Sequence, residues 1–183
     1  MKVMKKRRRF EGKTNYKKRL KILKGEFPRV VFRKTNRYIV GQLIKSVEAQ
    51  DKVEIGVTSK DLLKYGWPKD RIGSLKSIPA AYLTGFLIGE KILEKNKEKV
   101  IVDFGLTSNI HKSRMYAFLK GLVDSELKIN YKEKTFPEKE RIKGVQLKEK
   151  INIPEILKKI SASTKSEKEN FADEEIKKNI MKK

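Results

Sequence analysis

The sequence has no cysteine and only one histidine and one tryptophan in 183 residues. Without cysteine there are no disulfides and no thiolate metal sites, a composition that fits a reducing interior. The lone His111, flanked by Lys112 and Arg114, has no defined acid partner and is a poor candidate for acid–base work or zinc. No apolar run reaches the roughly 18 residues of a spanning helix. The first residues are densely basic and lack an apolar h-region, which argues against a signal peptide. Neither G-x-x-x-x-G-K-[ST] nor G-x-G-x-x-G occurs, so nucleotide binding has no positive signal. No cofactor, membrane or small-molecule substrate is expected. Acid is scarce as well, with 23 Asp and Glu against 46 Lys and Arg.

What remains is a net charge of +23. A chain that basic repels itself unless an anionic partner neutralises it, and nucleic acid is the usual one. The charge is unevenly placed. Residues 1–24 carry twelve Lys or Arg against one acid, Glu11, whereas 161–183 carry six bases and five acids. The division expected is a basic arm with a short helix (1–24), an α/β core (25–128), an extended segment with a short helix (129–160) and a mixed-charge tail (161–183).

Met1–Arg9 has no core pattern. It reads either as an RNA- or DNA-binding arm that orders against phosphates, or as a solubilising tail or localisation signal. Phe10 and Tyr16 either stack on bases or pack on the body. Tyr16, Leu20 and Leu23 recur at helical spacing, which predicts a helix over 15–24 with Lys17, Lys18 and Lys21 outward. Three β-rich runs follow at 29–33, 38–44 and 52–58, with turns at 25–26, 35–37 and 49–51. Connections this short make an antiparallel meander. Ser59 is a candidate cap for a short helix over 60–65 ended by Gly66. Trp67 is either a packing anchor or a stacking platform. Ser77 before Ile78–Pro79 starts a longer helix reaching 94 or 95, whose small Ala81 and Gly85 suit close approach to a sheet.

The next stretch, Lys99–Val123, reads as strand, polar loop and helix. Its β-branched run Val100–Val102 suits a strand buried on both faces. The long helix before it makes that strand parallel to a member of the meander. The loop carries Asn109, His111, Lys112 and Arg114, all able to meet a polar or anionic partner. Beyond Glu126 the pattern weakens into a long polar connection with a short helix near 137–141. An amphipathic helix follows at 153–160. Phe171, Ile176 and Ile180 mark at most one marginal helix in the tail.

An enzymatic reading rests on Asp103 at a strand end, with Asp61, Glu90 and Asp124 as further carboxylates. A metal nuclease needs converging carboxylates, and no spacing here brings them together. Capping of the following loop is the expected role of Asp103.

Six words, Tyr16–Leu23 (YKKRLKIL), Pro28–Gln42 (PRVVFRKTNRYIVGQ), Lys64–Trp67 (KYGW), Pro79–Gly85 (PAAYLTG), Val102–Leu106 (VDFGL) and Lys120–Asp124 (KGLVD), resemble the archaeal branch of the universal large-subunit ribosomal protein family eighteen. Its eukaryotic counterpart is large-subunit protein five. The resemblance covers about residues 7–145. It implies a non-enzymatic structural protein of the cytoplasmic ribosome that binds 5S rRNA. Such a protein helps attach 5S rRNA to the large subunit in the central protuberance, beside large-subunit rRNA and neighbouring ribosomal proteins. The implied fold is an α/β mixed sheet, three antiparallel strands plus one parallel, packed with helices. Carried over by position, Lys5, Lys6, Arg7, Arg8 and Arg9, then Lys13, Thr14, Asn15, Tyr16, Lys18 and Arg19, would enter RNA. Arg33, Lys34, Thr35, Asn36, Arg37 and Tyr38 would face it at the first hairpin. Ser108, Asn109, His111, Lys112, Ser113 and Arg114 would form a second contact. Where the family has a Thr-Lys-Gly-Ser-Arg-like run, this chain has Ile110-His111-Lys112-Ser113-Arg114, with Lys112 at the glycine. Deleting residues 1–19 is expected to leave the body folded and weaken 5S rRNA binding. The alternatives are a metal-dependent nuclease using Asp103 and a general nucleic-acid-binding protein.

Overall fold

A computed structural model describes residues 4, 6–25, 27–48, 50–95, 99–146 and 151–164. Lys5, Glu26 and Ala49 of two expected turns, and the 165–183 part of the tail lie outside the described residues.

The order is α1 (Arg7–Phe10), α2 (Tyr16–Leu23), β1 (Arg29–Lys34), β2 (Ile39–Val47), β3 (Gln50–Thr58), α3 (Ile78–Glu94), β4 (Ile101–Asp103), α4 (Arg114–Asp124) and α5 (Lys139–Lys143), with 3-10 turns at Ser59–Tyr65, Lys69–Ser74 and Glu133–Thr135. Residues 153–164 form a further helical run. The sheet has the order β3-β2-β1-β4. β1 pairs antiparallel with β2 and parallel with β4, and β2 pairs antiparallel with β3. This is the mixed sheet expected from the short connections and the helical crossover. β4 departs from expectation in one respect. It lies at the sheet edge, three residues long and half-buried, rather than enclosed on both faces. A short apolar run does not distinguish a central strand from an edge strand.

Alternation along the strands sends Val30, Phe32, Ile39, Leu43, Ile55 and Val57 into the core. There they meet Leu83, Leu87, Ile88, Phe118 and Leu122 from the helices. Phe32 and Phe118 contact at 5.1 Å between ring centroids, a pairing worth about 1 kcal/mol beyond its burial. Ile142, Ile151, Ile153, Ile156 and Ile160 join the same cluster, so α5 and the 151–160 segment are packed on the body.

α3 begins as its residues dictate, with the Ser77 side chain accepting the Ala80 N–H at 3.4 Å and Pro79 in the first turn. Gly85 faces another helix rather than the sheet. A Cβ added at Gly85 would lie 2.2 Å from the Phe118 carbonyl oxygen, and one at Gly121 of α4 would lie 2.2 Å from the Tyr82 carbonyl oxygen. The two glycines let α3 and α4 touch backbone to backbone. At the same crossing the Tyr82 hydroxyl donates to Asp124 at 3.0 Å. Burial, then the Asp124 charge and this hydrogen bond, push the Tyr82 pKa well up and keep it a neutral donor.

Local capping differs from expectation at Ser59. The cap is Thr58, whose N–H and hydroxyl donate to the Asp61 carboxylate at 2.8 and 3.2 Å. Ser59 is buried and accepts the Ile39 N–H at 3.1 Å. Trp67 is the packing anchor. Its ring is buried and its indole N–H donates to the Arg71 carbonyl at 3.2 Å, which removes the stacking reading. In α2 the Asn15 side chain accepts the Lys18 N–H at 3.1 Å, while Leu20 is exposed rather than packed.

One polar cluster was not anticipated. Arg29 on β1 is almost fully buried, and its guanidinium meets Asp51 on β3 at 2.5 Å. Asp51 also accepts from Arg19 at 2.9 Å and from the Ser46 hydroxyl at 2.6 Å. Burial alone would raise the Asp51 pKa. The Ser46 and Arg19 hydrogen bonds and the charges of Arg29 and Arg19 outweigh it and hold the carboxyl below its usual 3.8. A depressed folded-state pKa stabilises the fold fully above the unfolded value, and that contribution disappears as pH falls through the folded value. Asp51→Asn is therefore expected to lower stability at neutral pH by about 1–2 kcal/mol, less than for a fully buried pair because the carboxylate is partly solvated. Denaturant titrations at several pH values should show the gap between variant and parent closing below about pH 4. A gap that is constant down to pH 2 would contradict the ion-pair account.

Candidate nucleic-acid interface

Most of the expected contact residues fall on a chain of clefts with shared walls; Lys6, Arg7, Tyr38 and Asn109 do not line them. The main cleft, about 420 Å³, runs between α1–α2 and the ends of β1 and β4. Arg8, Lys13, Lys18, Arg19, Arg29, Arg33 and Lys34 line it, with Asp51 and Asp103 as the only acids among the described residues of its wall. Thr14 and Asn15 continue it into a smaller hollow with Arg9, Tyr16 and Lys17. At the other end, Phe32, Lys34, Leu106 and Thr107 are shared with a second cleft that holds Ser108, Ser113 and Arg114. Ser113 and Arg114 are in turn shared with a third, which adds His111, Lys112, Lys76 and Arg141. Arm, first strand and 108–114 loop thus make one track, although they are far apart in sequence.

Local chemistry fixes each stretch. The arm was expected to lack structure alone, yet Arg7–Phe10 is a helical turn. The Arg8 carbonyl accepts the Lys13 and Thr14 N–H groups, and Arg8 Nε donates to the Thr14 hydroxyl at 2.9 Å. Lys6 lies over the Tyr16 ring at 4.8 Å. Arg7 and Lys13 both meet Glu11, at 3.5 and 2.8 Å. Lys18 does not point away from the body as expected. Its ammonium donates to the Gly105 carbonyl at 3.1 Å and lies 3.5 Å from Asp103.

Asp103 has the loop-capping role. Its carboxylate accepts the Gly105 N–H at 2.9 Å, and Gly105 turns the chain with φ +59°. Asp61 and Asp124 are likewise held in structural contacts, and among the described residues no group of three or more His, Asp or Glu could hold a metal ion.

In the first hairpin, Arg33 and Lys34 are exposed in the cleft and make no ion pair among the described residues. Thr35, Asn36 and Arg37 form an exposed turn that lines none of these clefts. The Thr35 hydroxyl both donates to the Tyr38 carbonyl and accepts its N–H. The Tyr38 ring is half-buried beneath the Lys60 ammonium, 4.4 Å away.

In the second loop, Asn109 accepts the Tyr116 hydroxyl and His111 packs edge-on to the same ring. Arg114 Nη1 donates to the Lys76 carbonyl at 3.2 Å. Lys112 has φ +56°, the left-handed geometry that favours glycine. The glycine-type backbone is retained although the residue is lysine. Its N–H donates to the Thr135 carbonyl at 2.9 Å, and its ammonium meets Glu138 at 2.7 Å. That amide is therefore already committed within the fold, and Lys112 ties the 133–143 segment to the loop.

Sequence reasoning missed Arg29, Asp51, Thr107, Lys76 and Arg141. Period-two alternation puts Arg29 on one face with Val31 and Arg33, so its placement was legible. The Asp51 partner was not.

The family described as "Ribosomal large subunit proteins 60S L5, and 50S L18" matches residues 2–100, more than half of the chain. The chain belongs to this family. It is 43% identical over 138 residues to the large ribosomal subunit protein uL18 of Korarchaeum cryptofilum, spanning 75% of this chain and 69% of that protein. The uL18 proteins of Methanosphaera stadtmanae and Methanoculleus marisnigri are 41% and 42% identical over 143 residues, each match spanning 78% of this chain and 72% and 79% of the relative. The uL18 family is one of ribosomal constituents, not of enzymes, and a nuclease centred on Asp103 has no support in it. No helix among the described residues is long and apolar enough to cross a membrane.

Proposed function

We propose that this uL18-family chain is a structural protein of the large ribosomal subunit that binds 5S rRNA and helps fix it to the subunit in the central protuberance, in the cytoplasm, beside large-subunit rRNA and neighbouring ribosomal proteins. The observation that carries this reading is the connected track of clefts, in which Arg8, Lys18, Arg33, Lys34 and Arg114 come together around few acids. Structured RNA is recognised by shape and by phosphate and 2′-hydroxyl contacts, because its deep major groove excludes side chains. A connected cationic track suits that task, with Arg and Lys setting register and hydroxyls and amides adding geometry. In this reading 1–24 serves as the arm, 25–128 as the body and 129–160 as a brace, with 161–183 a mixed-charge tail. The RNA-contact residues in this reading are Lys5–Arg9, Lys13–Tyr16, Lys18, Arg19, Arg33–Tyr38, Ser108, Asn109 and His111–Arg114, most of which line the clefts.

A competition assay at physiological salt tests this. Unlabelled 5S rRNA is expected to displace labelled 5S rRNA at concentrations at least tenfold below those needed for tRNA or duplex DNA, and affinity should fall steeply as salt rises. Equal competition by duplex DNA would favour the general nucleic-acid-binding reading instead.

A further inference from the structure

The second cleft differs in character from the main one. It encloses about 330 Å³, near the lower end of the 300–1,000 Å³ usual for pockets that hold a small molecule. Phe32 and Met115, both buried, form part of its lining. Leu106 and Ile110 also line it, and they are 53% and 64% exposed. Neither belongs to the buried hydrophobic core. Lys34 and Arg114 line it too, and among the described residues no acid does.

The loop that carries the two apolar side chains is held in place. Gly105 and Asp103 fix its first turn, the Thr107 N–H donates to the Phe104 carbonyl, and the Ile110 N–H donates to the Ser108 carbonyl. Asn109 and His111 are both fastened to Tyr116. Leu106 and Ile110 are therefore presented outward by a braced loop.

We propose that this cleft takes one unpaired nucleobase of the bound RNA, with Leu106 and Ile110 against its faces and Lys34 and Arg114 on the flanking phosphates. The inference rests on the RNA-binding reading above and names a subsite within it. Two exposed apolar groups with flanking cations, and no carboxylate among the described lining residues, match a flat ring with apolar faces carried on a sugar between two phosphates. Bases taken out of a stack are held between apolar or aromatic side chains in this way. A paired duplex offers no such ring, so the cleft would read unpaired nucleotides rather than helix backbone. An apolar peptide bearing acidic residues shares some of this chemistry and is the competing occupant.

The test uses the full chain and the double variant Leu106→Ser/Ile110→Ser, both exposed positions, with circular dichroism and melting to verify the fold. Affinity for 5S rRNA is expected to fall about tenfold. The slope of log affinity against log salt should be unchanged, because no cation is removed. Weaker binding to a blunt, fully paired RNA duplex should show no change at all. An unaltered affinity for 5S rRNA would overturn the subsite, as would an equal loss on the duplex or a shallower salt slope. So would displacement of 5S rRNA by an acidic apolar peptide at concentrations at which free single-stranded oligonucleotide fails. If the parent chain shows no preference for 5S rRNA, the reading above fails and takes this one with it. If the parent prefers 5S rRNA and the variant binds equally well, only the subsite fails.

Discussion

Removal of residues 1–13 is expected to weaken 5S rRNA binding about a hundredfold near physiological salt and to reduce the salt slope by about 2–4. The segment contains Lys2, Lys5, Lys6, Arg7, Arg8, Arg9 and Lys13 against one acid, Glu11. Each phosphate neutralised releases counterions, contributing close to 0.7–0.9 to the slope, so several lost contacts multiply into a large change. Arg7 and Lys13 already face Glu11, which is why the expected loss corresponds to about half the cations. Residue 13 is a better cut than residue 19. Asn15 caps α2, Lys18 meets Gly105 and Asp103, and Arg19 meets Asp51, so a cut at 19 would also loosen the body. Because no residue of α1 is buried, the melting midpoint should move by less than about 2 °C. Filter binding at four salt concentrations, with melting alongside, decides it. Unchanged affinity and slope would show that the arm stays off the RNA.

Gly85→Ala or Gly121→Ala should each destabilise the fold by about 3 kcal/mol. In isolation, alanine favours a helix over glycine by about 1 kcal/mol, so propensity alone predicts the opposite sign. Packing wins because each new Cβ would sit 2.2 Å from a backbone carbonyl oxygen of the other helix. A backbone oxygen cannot rotate aside as a side chain can, so α3 and α4 must separate along their contact. For a chain of this size the midpoint should fall by about 6–12 °C. The double variant should lose less than the sum, since helices already pushed apart accommodate the second methyl more easily. α4 carries Ser113 and Arg114 at its start, so the same displacement should also reduce RNA affinity. A raised midpoint in either single variant would mean the helices do not cross this closely.

Much of the fold was legible because it depends on local spacing. Val53, Ile55 and Val57 alternate and form a strand with one covered face, apart from Val53, which stays exposed beside the shift in pairing register between Leu43 and Ile44. Ser77 and Pro79 mark the start of α3. The short turns made the meander antiparallel, and the long helix made β4 parallel. The basic arm was legible from charge density, whereas Arg33 and Lys34, which line the cleft, were marked only through the family resemblance. Where the reading missed, the pattern was right and its partner was wrong. Ala81 and Gly85 were recognisable as a close-approach surface, but helix periodicity does not say whether a sheet or another helix comes near. Val100–Val102 was recognisable as a strand, but not as an edge.

Charge, its concentration at the start of the chain, the kinds of element and the family can all be read along the chain, because composition, periodicity and short words are properties of contiguous residues. Which distant groups share a site depends instead on the packed fold. Arg19 meets Asp51 across 32 positions and Lys18 meets the Gly105 carbonyl across 87. These pairings set the walls of the main cleft, hold Asp103 as a loop cap and place the arm beside the second loop. They follow from how the sheet and helices pack around one core, and no spacing along the chain encodes them.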